Sequence, residues 1–193
     1  MKRIGLLGGT FNPIHNGHLF LASQAKEKCS LEQVIFIPSA LPPHKEEHSL
    51  VDATHRYIMA NLATLDNDDF IVSDIEIHRG GKSYTLDTLR ELKKIYKTET
   101  IIYFITGYDA ISELNTWKDV EKLLELCIFI FATRPGHKPK IDERYLKHTQ
   151  QLTIPELNIS STYIREKIKN RKSIKYLVPD LVYKYITKYN LYL

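Results

Sequence analysis

The sequence is short of the residues that mark secreted, zinc-stapled or membrane-embedded proteins. It has only two cysteines in 193 residues, Cys29 and Cys127. They make no CxxC pair and no zinc spacing, so two reduced, packed thiols are expected. No run approaches the ~18–20 apolar residues of a membrane span. The start, Met-Lys-Arg-Ile-Gly, carries the charge of a secretory leader, but Gly8, Gly9, Asn12, Pro13 and His15 cut its apolar run short. The expectation is a cytoplasmic, reducing location. There is one tryptophan, no internal repeat and no low-complexity tract. Glycine is also scarce, yet four of the eight glycines fall within the first 17 residues.

With 43% hydrophobic and 26% charged residues, the chain has an ordinary globular composition rather than a disordered one. The length suits a single domain over residues 1–193 and is enough to bury roughly two-thirds of the unfolded surface. The net charge of +4 is uneven: residues 1–133 carry 14 basic and 18 acidic side chains, residues 134–193 carry 13 and 5. A basic last third points to an anionic partner, whether nucleic acid, a membrane surface or a phosphorylated small molecule.

Short apolar runs alternate with longer helical patterns. Strands are expected at residues 3–7, 33–38, 70–73, 100–106, 128–133 and 151–154. Helices are expected at 17–28, 52–65, 85–96, 120–126, 161–169 and 179–189. Several strands are continuous apolar runs, which is how a parallel sheet covered on both faces reads. The fold class is therefore α/β, a Rossmann-like, doubly wound parallel sheet with helices on both faces. Ligands in such a sheet bind beyond the strand carboxyl ends, at a switch point.

Each unusual cluster follows a predicted strand. The first is GGTFNPIHNGH, from Gly8 to His18. Gly8 and Gly9 let backbone N–H groups approach an anion, and the helix start adds its dipole. The segment is neither GxGxxG nor a P-loop. His15 and His18, spaced i, i+3, bring two imidazole donors toward one phosphate, where such donors stabilise a transferring phosphoryl group. The plainer alternative is a turn with two surface histidines; metal binding by the pair lacks a third ligand nearby.

HxGH after a Gly-Gly turn resembles the nucleotidyltransferase superfamily, in which the two histidines bind the nucleoside triphosphate and stabilise the transition state at its α-phosphorus. The second cluster is ISSTYIR, Ile159 to Arg165. Its hydroxyls cap a helix and equally cradle a phosphate, with Arg165 one turn in. It resembles the ISSTxIR signature by which the same superfamily holds ATP phosphates.

The remaining clusters concern a second substrate. They are Pro42-Pro43-His44-Lys45, Ser83-Tyr84-Thr85 before a helix with free amides, ITGYDAISELNTW with Gly107, Asp109 and Trp117, and Arg134-Pro135-Gly136. Trp117 suits core packing or stacking on a flat ring, and Arg134 suits an exposed turn or a phosphate contact. Together these motifs resemble bacterial nicotinate-nucleotide adenylyltransferases over essentially the whole chain. Asn12 stands where many members carry Asp, and Tyr108 where a small residue is common.

The resemblance implies transfer of the adenylyl group of ATP to nicotinate mononucleotide. His15 and His18 would be catalytic. Gly8, Gly9, Thr10, Phe11, Asn12, Ser161, Thr162 and Arg165 would bind ATP. His44, Lys45, Tyr84, Thr85, Gly107, Asp109, Trp117 and Arg134 would bind the mononucleotide, with Trp117 stacked on the ring and the amides near Tyr84 and Thr85 on its carboxylate. Magnesium would come with ATP, held by phosphate oxygens and water, so no protein metal ligands are expected. Nicotinamide mononucleotide is the rival substrate. A pantetheine phosphate adenylyltransferase would share HxGH but not ITGYDAISELNTW. A nucleic-acid partner finds no aromatic–basic motif or recognition helix, and no membrane partner is expected.

Overall fold

The computed structural model describes residues 1–42, 50–96, 99–107, 110–111, 113–133, 142–155 and 157–193. Among these residues, six strands form one sheet: β1 (Lys2–Gly9), β2 (Gln33–Pro38), β3 (Phe70–Val72), β4 (Thr100–Gly107), β5 (Ile128–Thr133) and β6 (Thr149–Thr153). Their order is β3-β2-β1-β4-β5-β6, and every neighbouring pair is parallel. This is the doubly wound order, with its switch point between β1 and β4.

The α-helices bounded within the described residues are α1 (Asn16–Lys28), α2 (Ala53–Thr64), α3 (Ile75–Arg79), α4 (Thr85–Tyr96), α5 (Val120–Leu126), α6 (Ser161–Lys169) and α7 (Asp180–Lys188). They bury their apolar stripes in two clusters. Ala22, Ala25, Met59, Ala60, Ile164 and Val182 pack on one face of the sheet. Leu86, Leu89, Leu92, Leu123 and Leu124 pack on the other. Side chains alternate across β1, so Ile4 and Leu6 join the second cluster while Leu7 joins the first. Gly5 lies between them because a Cβ there would come within 2.8 Å of Ile105 and 2.9 Å of Leu31.

Three local differences from the sequence-based reading matter. β1 does not stop at Leu7 but runs on through both glycines, because Gly8 and Gly9 stay in register with Ile37 and Pro38 of β2. β6 begins two residues early; its first residues are polar, which suits an edge strand but hides it from apolar patterning. The five-residue α3 was not expected, since Ile75 and Ile77 alternate as a strand would. No helix is long and apolar enough to cross a membrane among the described residues.

β1 pairs with β4 only as far as Leu6 and Phe104, yet continues beside β2 to Gly9. The two central strands therefore part at their carboxyl ends, and a crevice opens there. Both cysteines are free and buried, and burial pushes the Cys127 thiol up to about 12.

Candidate active site

One wall of the crevice is the loop from β1 into α1. Phe11 adopts a left-handed φ of 48°, a conformation that costs about 1–2 kcal/mol. Its ring is buried and packs edge-on to His18 with centroids 5.0 Å apart. Asn12 and Pro13 are joined by a cis peptide bond. The Asn12 carboxamide oxygen accepts from the Val51 amide at 3.2 Å. Asn12 thus acts as a structural acceptor toward the loop before α2.

His15 and His18 lie stacked, with ring centroids 3.7 Å apart. The His15 amide donates to His18 Nδ1 at 3.2 Å, so that nitrogen holds a lone pair and the His18 proton sits on Nε2. Gly17 makes the stack possible, since a Cβ there would meet the His15 ring at 3.0 Å. His15 is buried, and its Nδ1 has no hydrogen-bond partner. Burial pulls its imidazolium down to about 4, so at neutral pH the ring is uncharged.

The ISSTYIR segment closes onto this loop across some 150 residues of chain. Ser160 caps α6 by accepting from the Tyr163 amide at 3.1 Å. The Ser161 hydroxyl donates to the Pro13 carbonyl at 2.8 Å. Arg165 donates to the Asn12 carbonyl at 2.9 Å and to the Thr162 hydroxyl at 3.1 Å. Two histidines, two hydroxyls and a guanidinium thus converge beside a glycine-rich loop, the kind of setting in which protein donors can receive an anion.

The opposite wall holds Trp117 and the start of α4. A cavity of about 210 Å³ lies between Gly8, Gly9 and Thr10 on one side and Thr85, Phe104 and Trp117 on the other. A second, of about 400 Å³, adjoins it and is lined by Tyr84, Thr85, Trp117 and Lys118 among others. Trp117 stands between these cavities and the core. It packs edge-on against Phe104 and Phe129, with centroids 5.6 and 5.9 Å away, and still lines both cavities. Gly107 ends β4 and is exposed. His44, Lys45, Asp109 and Arg134 lie outside the described residues, as do Tyr108 and Gly136.

Two buried residues here were not singled out from the sequence. Arg56 is 1% exposed. Its guanidinium donates to the carbonyls of Val51 (2.9 Å), Thr10 (2.7 Å), Ser39 (2.7 Å) and Ala40 (2.8 Å). It therefore ties the glycine-rich loop to the end of β2 and the approach to α2. The signal was available: Arg56, Met59, Ala60 and Ala63 share one helical face, and an arginine on an apolar face must find acceptors. The second is Glu76, buried against the cavity and accepting from the Thr88 hydroxyl at 2.6 Å. It sits in the helix that patterning missed. Among the described residues, no group of three or more His, Cys, Asp or Glu is placed to hold a metal ion.

A family model described as cytidylyltransferase-like matches residues 6–167. A protein of Thermoanaerobacter sp. named probable nicotinate-nucleotide adenylyltransferase is 48% identical, across 98% of this chain and 94% of that protein. One of the same name from Moorella thermoacetica is also 48% identical, across 98% and 91%. Among solved structures, the Plasmodium falciparum nicotinic acid mononucleotide adenylyltransferase complexed with NaAD superposes with a TM-score of 0.81. It is 26% identical and covered over 98% of its length by 100% of this chain. The sheet order, the paired histidine and ISSTYIR loops and these near full-length likenesses lead to one conclusion: this chain belongs to the nicotinate-nucleotide adenylyltransferase family of cytidylyltransferase-like nucleotidyltransferases.

Proposed function

We propose that the chain acts as one nucleotidyltransferase domain that transfers the adenylyl group of ATP to nicotinate mononucleotide, giving deamido-NAD and pyrophosphate in NAD biosynthesis. An oxygen of the mononucleotide phosphate forms a bond to the α-phosphorus as the bond from that phosphorus to the leaving oxygen breaks. Pyrophosphate departs with the electron pair. The nucleophile is already an anion, so the protein supplies position and charge stabilisation rather than a covalent intermediate.

The observation that carries this reading is the convergence of both phosphate-binding motifs on one lip of the crevice. In the proposal, His18 Nε2–H and the His15 ring meet the α- and β-phosphates. Gly8, Gly9, Thr10, Phe11 and Asn12 line the ATP loop, with the buried Phe11 ring shaping it from beneath. Ser161, Thr162 and Arg165 hold the β- and γ-phosphates. Trp117 stacks on the pyridine ring, and Tyr84, Thr85 and Gly107 border the mononucleotide; His44, Lys45, Asp109 and Arg134 complete its site. Lys118, with its ammonium 4.4 Å from the centre of the Tyr84 ring, adds positive charge where the ring carboxylate would enter. Magnesium arrives as part of the MgATP substrate and offsets phosphate charge there. The enzyme would work in the cytoplasm, with neither nucleic acid nor membrane as partner.

The test is a side-by-side turnover assay with MgATP on nicotinate and nicotinamide mononucleotides, reading dinucleotide and pyrophosphate. The expected result is a clear preference in kcat/KM for the acid. Equal efficiency on the two would remove the acid-specific claim, and no dinucleotide from either would remove the reaction.

A further inference from the structure

Trp117 and Lys118 lie between two fixed points of backbone. The Trp117 amide donates to the Leu114 carbonyl at 3.1 Å, closing the short 3-10 turn of Leu114–Thr116. Asp119, left-handed at a φ of 54°, then stands at the N-terminal cap position of α5. The Trp117 and Lys118 side chains line the cavity of about 400 Å³ together with Tyr84 and Thr85 from the start of α4. Across it the Lys118 ammonium rests over the Tyr84 ring, 4.4 Å from its centre. That is well inside the ~6 Å reach of a cation–π contact.

The neighbouring carboxylates are engaged elsewhere. Asp119 pairs with Lys122 at 3.2 Å, and Asp87 stands 3.8 Å from Arg90. Glu113 lines the same cavity, yet among the described residues no carboxylate pairs with Lys118. A ring face attracts the ammonium's charge but takes at most one of its three N–H donors. The others stay available. A lysine stem in water moves through many conformers, and a ligand that pairs with it must restrict them. Tyr84 has already placed this one, so a ligand carboxylate meets the charge at a reduced entropic cost.

We propose that Lys118 sets the selectivity for the acid: held over the cavity by Tyr84, its ammonium pairs with the carboxylate on the substrate's pyridine ring. The inference rests on the reading of this cavity as the nicotinate site and deepens it. Stacking on Trp117 serves either pyridine alike. Glu113 on the same cavity repels the acid and not the amide, so without Lys118 the local charge turns against the acid.

The experiment titrates wild type, Lys118→Met, Lys118→Arg and Lys118→Glu with nicotinate and nicotinamide mononucleotides. Trp117 is the only tryptophan in the chain, so quenching of its fluorescence reads Kd at this cavity; KM with MgATP is measured beside it. Lys118 is exposed, and circular dichroism checks each fold. Lys118→Met, which keeps the apolar stem, weakens nicotinate mononucleotide about fivefold, the size of a partly exposed ion pair. Nicotinamide mononucleotide stays within about twofold. Lys118→Arg keeps most of the preference, and Lys118→Glu lowers it beyond Lys118→Met. Added salt shrinks the wild-type preference toward the Lys118→Met value, because the two substrates share a phosphate and differ only in ring charge. An unchanged acid-to-amide ratio in Lys118→Met and Lys118→Glu overturns the role. So does an equal loss for both substrates, which makes Lys118 a packing partner of Tyr84 alone. A wild type that binds neither mononucleotide, or favours neither, overturns the substrate reading itself.

Discussion

His15 and His18 share one stack but occupy different electrostatic settings. His18 has its proton placed by the His15 amide, which accounts for an N–H directed from Nε2. His15 is buried and held uncharged, its imidazolium pulled down to about 4 by desolvation. That shift has a consequence for stability. An unfolded chain binds a proton at this ring near the ordinary value of 6.5, while the folded chain binds it only near 4. Between those values the unfolded state holds more protons, so stability rises with pH there. The contribution is fully present above about pH 6.5 and is lost as pH falls toward 4, with a total on the order of 3 kcal/mol. Urea unfolding at several pH values should show this slope in wild type and a flatter one in His15→Gln. Parallel slopes would contradict it. The histidine pair was visible in the sequence as HxGH, but its stacking was not: that depends on Gly17 having no Cβ and on the Phe11 ring beneath His18.

At the scale of elements, the site is a set of helix starts and strand ends fixed to one another by polar links. α6 reaches the α1 loop through Ser161 and Arg165. α1 begins with its Asn16 amide donating to the Leu177 carbonyl at 3.0 Å. Arg56 in α2 serves four carbonyls from two loops, Thr10 before α1 and Ser39, Ala40 and Val51 before α2. Replacing Arg56 by Met leaves those buried acceptors unsatisfied and should cost at least about 3 kcal/mol. Lysine should not restore it, since a point ammonium cannot reproduce the fork. Urea denaturation measures this, and a loss under about 1 kcal/mol would contradict the linking role. Periodicity located the long helices because each turns an apolar stripe to the sheet. It missed α3, whose five residues span little more than one turn. It also passed over Glu76, whose bond to Thr88 joins residues 12 apart and leaves no period, whereas Arg56 did stand on the apolar face of α2 and only its acceptors were unreadable.

At the scale of the molecule, the all-parallel sheet was legible in its uninterrupted apolar strands, and the crevice in the crowding of motifs after them. The strand order was not read from the sequence; it appears in the β3-β2-β1-β4-β5-β6 arrangement, where β1 and β4 part beyond Leu6 and Phe104. The basic last third, first suggestive of a broad polyanion surface, narrows among the described residues to Arg165 at the crevice. Lys169, Arg171 and Lys172 line a separate surface hollow. Adenylyl transfer as proposed requires the HxGH loop and the ISSTYIR segment to form one polyphosphate site. The most direct test is steady-state dinucleotide formation from MgATP and nicotinate mononucleotide by His18→Ala against wild type, with circular dichroism on both. An intact fold is expected, with turnover lower by about two orders of magnitude or more; near-normal turnover in the folded variant would rule out a shared polyphosphate site.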